Sequence, residues 1–426
     1  MIALRAPGFR RLWLAGLISD TGDWLLLISL PILVYQYTGS TFGTAAAFLI
    51  ELVPPIALAP LIGRLADRGD RRRTLLLVSL AQAAALTPLL LVHDRAGLPI
   101  VYAVIAVQSA LVALFEPTKS ALLPTLVDRD RLVSANSLVG LNQNVGRLVG
   151  GPLGGVLLAI GGGLTTIVAV DTASFLLAFA LIARLAPARP GPLTAHDDAT
   201  QTGWRETLRS RPIRGALVVL FTASIAQGTF VVLFVVFVAQ QLHGDAAEIG
   251  LLRGVQAIGA IAAGILLALA GRRAPGRLIA YAALAFGALS LATWNAPGVS
   301  TAEPVYVALF IAAGAPGVVL MTGLISAFQQ AAAEGQRGKA FAIAGVAASA
   351  GQAIGMLAGG ILGGPLGVVA ILDAQGALYL VAGLLAAVWL KESASVGGTR
   401  SRRSSRRASA APLRSRLIGS AARSAT

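Results

Sequence analysis

The sequence predicts an all-α membrane protein of twelve transmembrane helices arranged as two pseudo-symmetric six-helix bundles. Three observations lead there. The 426 residues are 56% hydrophobic and only 12% charged, with a mean hydropathy of +0.77, about half the charge of a soluble globular chain. Apolar windows of about 20 residues, enough to cross a bilayer core as a helix, recur from end to end. The basic residues collect on one side of those windows, as cytoplasmic loops of membrane proteins do. A β-barrel is disfavoured, because dyad alternation is missing and Ala, Leu and Gly dominate.

The expected spans are about 10–37, 42–65, 73–93, 97–123, 132–160, 163–186, 213–242, 246–271, 276–296, 302–330, 338–364 and 366–390. With these bounds 31 of the 34 Lys and Arg fall on one side. Arg95 lies in an outer loop, and Arg147 and Arg253 lie within spans. Both termini are therefore expected in the cytoplasm, and the +15 net charge does not signal nucleic acid. Residues 1–186 form the first bundle, 187–212 a cytoplasmic linker, 213–391 the second bundle and 392–426 a tail. The N-terminal basic patch Arg5, Arg10 and Arg11 feeds an uncleaved first helix. The tail holds eight arginines and no acid after Glu392, a composition that buries no core and predicts disorder.

Taken in order, the first span carries Asp20 and Asp23 on neighbouring parts of one helix face. The second carries Glu51, then Pro54 and Pro55. A basic turn, Gly63-Arg-Leu-Ala-Asp67-Arg68-Gly-Asp70-Arg71-Arg72-Arg73-Thr-Leu75, leads into the third. The fourth ends in Phe115-Glu116-Pro117, with Lys119 and Pro124 beyond. The fifth bears a polar stripe of Asn136, Gly140, Gln143, Arg147 and Gly151. On it Gly146, Gly150 and Gly154 recur every fourth residue, which lets a neighbouring backbone approach. The second bundle repeats the first. A shift of 209 sets Gln143 on Gln352 and Gly146 on Gly355, with Gly150, Gly151, Gly154 and Gly155 on Gly359, Gly360, Gly363 and Gly364. A shift of 202 sets Asp171 on Asp373. Parallel repeats of this kind fit two bundles facing each other across a central site.

The basic turn resembles the loop between helices 2 and 3 of the major facilitator superfamily, Gly-x-Leu-Ala-Asp-Arg-x-Gly-Arg-Arg/Lys-x-x-Leu. Gly63, Leu65, Ala66, Asp67, Arg68, Arg71, Arg72 and Leu75 match in place, and Asp70 stands where that pattern has its second glycine. The Asp-Arg-x-Asp-Arg-Arg-Arg variant, with the run from Glu116 to Asn136, resembles the drug and siderophore (enterobactin or macrolide) exporter branch. The glycines of the fifth span resemble the antiporter signature Gly-x-x-x-Gly-Pro-x-x-Gly-Gly, with its proline displaced to Pro152. The resemblance implies the major facilitator fold and a conformational latch formed by Gly63, Asp67, Arg68, Arg71, Arg72 and Glu116. In that latch Asp67 faces the N-terminal end of the eleventh span near Gly338.

No enzyme is expected. His93, His196 and His243 are scattered, cysteine is absent and no Gly-Lys-Ser/Thr phosphate loop occurs, so metal, thiol, His-relay and ATP-driven chemistry find no residues. Ionisable groups inside spans remain, and these are functional candidates by default. They gather in the first half: Asp20, Asp23, Glu51, Glu116, Arg147 and Asp171, against Asp373 and Arg253 in the second. Asp23, Asp20 and Glu51 are the candidate proton carriers, the alternative for the aspartates being a static ion pair with Arg147. Asn136, Gln143, Arg147 and Gln352 are the candidate cavity residues, and Arg147 could attract an anionic substrate. Gly146, Gly150, Gly154, Gly155, Gly355, Gly359 and Gly363 are read as helix-packing positions. A salt bridge to Arg71 is expected for Glu116, and capping or interhelical hydrogen bonds for Asp171 and Asp373.

The function these readings converge on is proton-coupled export of amphipathic organic molecules across the inner membrane by alternating access. The alternatives are a lysophospholipid or metabolite carrier and, in another class, a non-transporting receptor or scaffold. Expected partners are small-molecule cargo, protons and the lipid bilayer, with no nucleic acid, no metal and no cofactor, and the chain is expected to work as a monomer.

Overall fold

Proline and glycine punctuate the chain into its helices. The computed structural model describes residues 2–68, 70–128, 131–160, 163–186, 208–270, 276–332 and 337–390. Helix α1 runs Pro7–Thr38, opening on a proline and closing on Gly39 at φ 62°, a left-handed backbone that glycine adopts without strain. Ser40 caps α2 (Thr41–Ala57), its hydroxyl accepting from the Gly43 N–H at 3.2 Å. The second span does not run straight on. It breaks at Leu58 and resumes as α3 (Ala59–Arg68), because Pro60 lacks the N–H that would continue the ladder to Ile56. Asp70 then caps α4 (Arg71–Ala85), its carboxylate accepting from the Arg72 and Arg73 N–H groups. The residue that departs from the superfamily pattern thus starts the next helix.

The first half continues with α5 (Leu98–Leu122), α6 (Leu132–Ala159) and α7 (Gly163–Ala183). The second half comprises α8 (Arg211–Gln241), α9 (Ala246–Ala270), α10 (Gly276–Asn295), α11 (Glu303–Ala331), α12 (Arg337–Leu362) and α13 (Val368–Trp389). Ten helical segments among the described residues are long and apolar enough to span a bilayer. The broken pair α2–α3 and the helix α6, whose hydropathy is lowered by its Asn, Gln and Arg, complete twelve. The expected linker falls largely on residues 187–207 and the tail on 391–426, which lie outside the described residues.

Within each half, glycines set the closest approaches. A Cβ at Gly150 or Gly154 of α6 would collide with the α1 backbone at Thr21 or Leu25, and one at Gly146 would press tightly on the backbone of Asp20. One at Gly351 or Gly355 of α12 would collide with α8 at Phe221 or Ile225. The other face of α6 meets the opposite half: Gly155 lies on Ala246 of α9, and Gly151 and Gly250 lie back to back. The repeat-related seam joins α12 to α2, with Gly360 against Ala45 and the Thr41 hydroxyl donating to the Gly360 carbonyl at 2.8 Å.

These joins lie towards the end of the bundle that carries the Thr38–Thr41 turn. There Gln240 donates to the Tyr35 hydroxyl at 3.0 Å, and the largest apolar cluster draws Ile28, Ile32, Ala45 and Phe48 together with Phe230, Phe234 and Trp294. At the opposite end α3 packs on α5 of its own half. Gly338 at the start of α12 is exposed, and a Cβ there would meet nothing within 4 Å.

Candidate functional site

Three cavities lie in and between the halves, two of them bordered by Trp24 of α1. The first, of about 400 Å³, lies within the first half and is lined by Asp20, Asp23, Glu51, Glu116, Gln108 and Gln143 together with apolar residues of α1, α2 and α5. The second, of about 330 Å³, lies between the halves and is lined by Trp24, Glu51 and Phe48 on one side and by Gln227, Phe234, Arg253, Gln352 and Met356 on the other. The third, of about 290 Å³, has Arg147 on one side and Gln227, Arg253, Gln256, Phe286, Met321 and Tyr379 on the other. Trp24 and Glu51 border the first two, and Gln227 and Arg253 the second and third.

A buried lysine organises the acidic cavity. Lys119 sits inside α5 at 2% exposure, its Nζ 2.5 Å from Glu116 Oε1 and 3.4 Å from Asp20 Oδ1. This corrects two expectations. Glu116 does not pair with Arg71; Lys119, three residues on along the same helix, reaches it first. Nor does Lys119 belong among the loop cations, because Pro117, read from sequence as the end of the span, is accommodated inside α5. Asp20 Oδ2 is buried without a hydrogen-bond partner. Asp23, half-buried on the cavity wall, feels the charges of Asp171, Asp20 and Glu116 and, more weakly, of Lys119. Among the described residues neither Asp23 nor Glu51 forms a salt bridge.

Arg147 does not pair with the aspartates. Its Nη2 donates to Asn144 Oδ1 at 3.3 Å, its Nε is buried without a partner, and its guanidinium stands over the Trp24 ring at 5.8 Å. Arg253, at 9% exposure, stands over the same ring at 5.9 Å and over Phe230 at 5.0 Å, and donates to Gln256 Oε1 at 3.0 Å.

The remaining sequence candidates divide. Gln143 and Gln352 line cavities, on opposite sides of the Trp24 wall. Asn136 does not; it is exposed and donates to the Leu132 carbonyl of its own helix, lying two turns from Gln143 towards the start of α6. Asn142, passed over in the sequence, is buried and donates to the Trp13 carbonyl. Arg71 donates to the Ala121 carbonyl at 3.0 Å and Arg72 to the Ala183 carbonyl at 2.6 Å, so both satisfy carbonyls at helix C-termini, where cations are favoured. The side chains of Gly63, Asp67 and Arg68 lie outside the described residues. Asp373 accepts from Asn295 of α10 at 2.7 Å, the interhelical bond expected of it. Asp171 is fully buried against Gly22, with Ser174 donating to Oδ1 and with Oδ2 unpartnered.

Residues 1–412 match the profile of a family described as transmembrane secretion effector, a major facilitator group. The chain belongs to that family. The transporter is 26% identical over 402 residues to the uncharacterised MFS-type transporter YfiS of Bacillus subtilis, covering 90% of this chain and 93% of that one. It is 26% identical over 256 residues to the enterobactin exporter EntS of Citrobacter koseri, a match covering 60% of this chain and 61%, under two thirds, of the exporter. Among solved structures it is similar to a bacterial homologue of the iron transporter ferroportin. The inward-facing form gives a TM-score of 0.72 at 17% identity, covering 91% of this chain and 98% of that one. The outward-facing form gives 0.59 at 18% identity over 89% and 98%. The protein is thus a multi-pass membrane transporter and not an enzyme.

Proposed function

We propose that the protein is a proton-coupled exporter of small amphipathic organic molecules, with both termini cytoplasmic in a bacterial inner membrane. The observation that carries this reading is the acidic cavity built on α1, α2 and α5, which shares Trp24 and Glu51 with a second cavity between the halves. A carboxylate held within a span away from any cation is costly to leave charged, and taking up a proton removes that cost. Lys119 occupies Asp20 and Glu116, which leaves Asp23 and Glu51 as the carboxyls free to exchange protons as the halves rock. The cavities between the halves supply contact area for cargo.

The distribution of contacts supports a cavity open to the cytoplasm. Basic residues place the end bearing Arg71, Arg72 and Arg337 inside, and the joins of α2 with α12 and of α6 with α9 lie towards the other end. The latch around Asp67 would close the cytoplasmic end in the alternate state, where α3 would approach Gly338.

Asp23→Asn tests the coupling. The change keeps the shape and removes the titration, so uphill efflux should vanish while downhill exchange of cargo persists. Normal uphill efflux in Asp23→Asn moves the role to Glu51 or Asp20, and normal efflux in all three neutral variants rejects proton carriage by this half.

A further inference from the structure

Arg147 and Arg253 form the one pair of cations in the spans whose partners are aromatic rings and amides in place of carboxylates, among the described residues. They come from opposite halves and line one cavity. Glu51 borders the neighbouring cavity with Arg253, yet neither Arg147 nor Arg253 forms a salt bridge among the described residues. Both guanidiniums thus stand over the Trp24 ring and border one cavity without a carboxylate partner, with the Arg147 Nε–H unanswered. Such a pair is costly unless something neutralises it. By contrast the acids cluster beyond Trp24, where Lys119 already answers two of them. Among the described residues the third cavity is lined by the two arginines and by no acid.

We propose that this third cavity is the cargo site and that it takes aromatic organic anions. Arg147 and Arg253 hold the carboxylate, sulfonate or phosphate by charge-assisted hydrogen bonds, for which planar guanidiniums are well suited, and Phe286 and Met321 receive the apolar body. Because the two arginines belong to different halves, the anion also bridges α6 and α9 and is released when those helices part. The proposal rests on the export reading above and names its cargo. It separates the cargo site from the proton site, so that coupling runs through α1, whose Asp23 lines the first cavity and whose Trp24 ring lies under both guanidiniums.

The test uses the full chain in lipid nanodiscs and one fluorophore with three charges: dansylglycine, its uncharged amide and the cationic monodansylcadaverine. The carboxylate should bind at least about tenfold more tightly than the amide, the scale of one charge-assisted hydrogen bond, and the amine most weakly. Arg147→Gln and Arg253→Gln should each bring the carboxylate to the level of the amide and leave the amide unchanged, while Arg253→Lys keeps part of the preference. Equal binding of the three dyes, tighter binding of the amine, binding of none, or a carboxylate preference that survives both glutamine variants overturns the proposal. The wild-type charge series needs no variant to fold. Export is read apart from this, in proteoliposomes under an imposed proton gradient. Gradient-driven movement of the amide or amine with no preference for the carboxylate rejects the anion site and leaves export standing; an intact carboxylate preference with no gradient-driven movement of any dye rejects export and leaves the site.

Discussion

Lys119 shows how a single side chain redistributes the roles of its neighbours. Paired with Glu116 and Asp20, it converts two of the four cavity acids into parts of a buried ionic cluster. Removing one partner from such a cluster leaves an uncompensated charge, at about 3–5 kcal/mol. Lys119→Gln should therefore lower the thermal midpoint of the purified protein markedly, and adding Asp20→Asn and Glu116→Gln should restore most of it; an unchanged midpoint in the single variant would show the cluster to be energetically idle. The sequence announced Asp20, Asp23, Glu51 and Gln143 because charge and amide groups stand out in apolar spans, and all four line one cavity. It did not announce the lysine's place, because Pro117 reads as a helix end, nor that Arg147 turns to Trp24 and away from the aspartates. Helical phase alone does not say which neighbour a long side chain reaches.

Glycine spacing made the helix contacts legible at the level of the element. The faces of α6 and α12 that carry repeat-related glycines do corresponding things: Gly146 and Gly355 admit α1 and α8 of their own halves, and Gly151 and Gly360 admit α9 and α2 of the opposite halves. The pattern foretold close approach without saying to which partner, since periodicity marks a face and topology chooses what covers it. Gly150→Ala places a methyl on the Thr21 carbonyl, and overpacking of this kind costs about 1–3 kcal/mol. Gly140→Ala, exposed and with nothing within 4 Å, should be neutral or gain up to about 1 kcal/mol of helix propensity. Thermal unfolding of the two variants side by side checks both, and equal midpoints would contradict the assigned packing. The break in the second span at Leu58 follows the same logic of local chemistry. Its prolines were visible, while the redirection of α3 onto α5 depends on contacts between segments.

Twelve spans in two halves were legible in the whole molecule from hydropathy, charge asymmetry and the internal repeat, because a bilayer constrains length and loop charge so strongly. Alkaline phosphatase fused after Lys391 should be inactive, and high activity there would overturn the twelve-span orientation. If cargo is a monoanion leaving as one proton enters, two charges move inward per cycle, each worth about 2.3 kcal/mol at 100 mV. An inside-negative potential imposed without a pH gradient should then accelerate export, and indifference to potential would argue for a neutral exchange. The most direct measurement of the central claim is dye accumulation in everted membrane vesicles that overproduce the protein, energised by respiration and then treated with a protonophore. Proton-coupled export predicts uphill uptake of an aromatic dye that collapses on adding the protonophore and is missing in Asp23→Asn vesicles; uptake that survives the protonophore, or that is identical in vesicles lacking the protein, would contradict it.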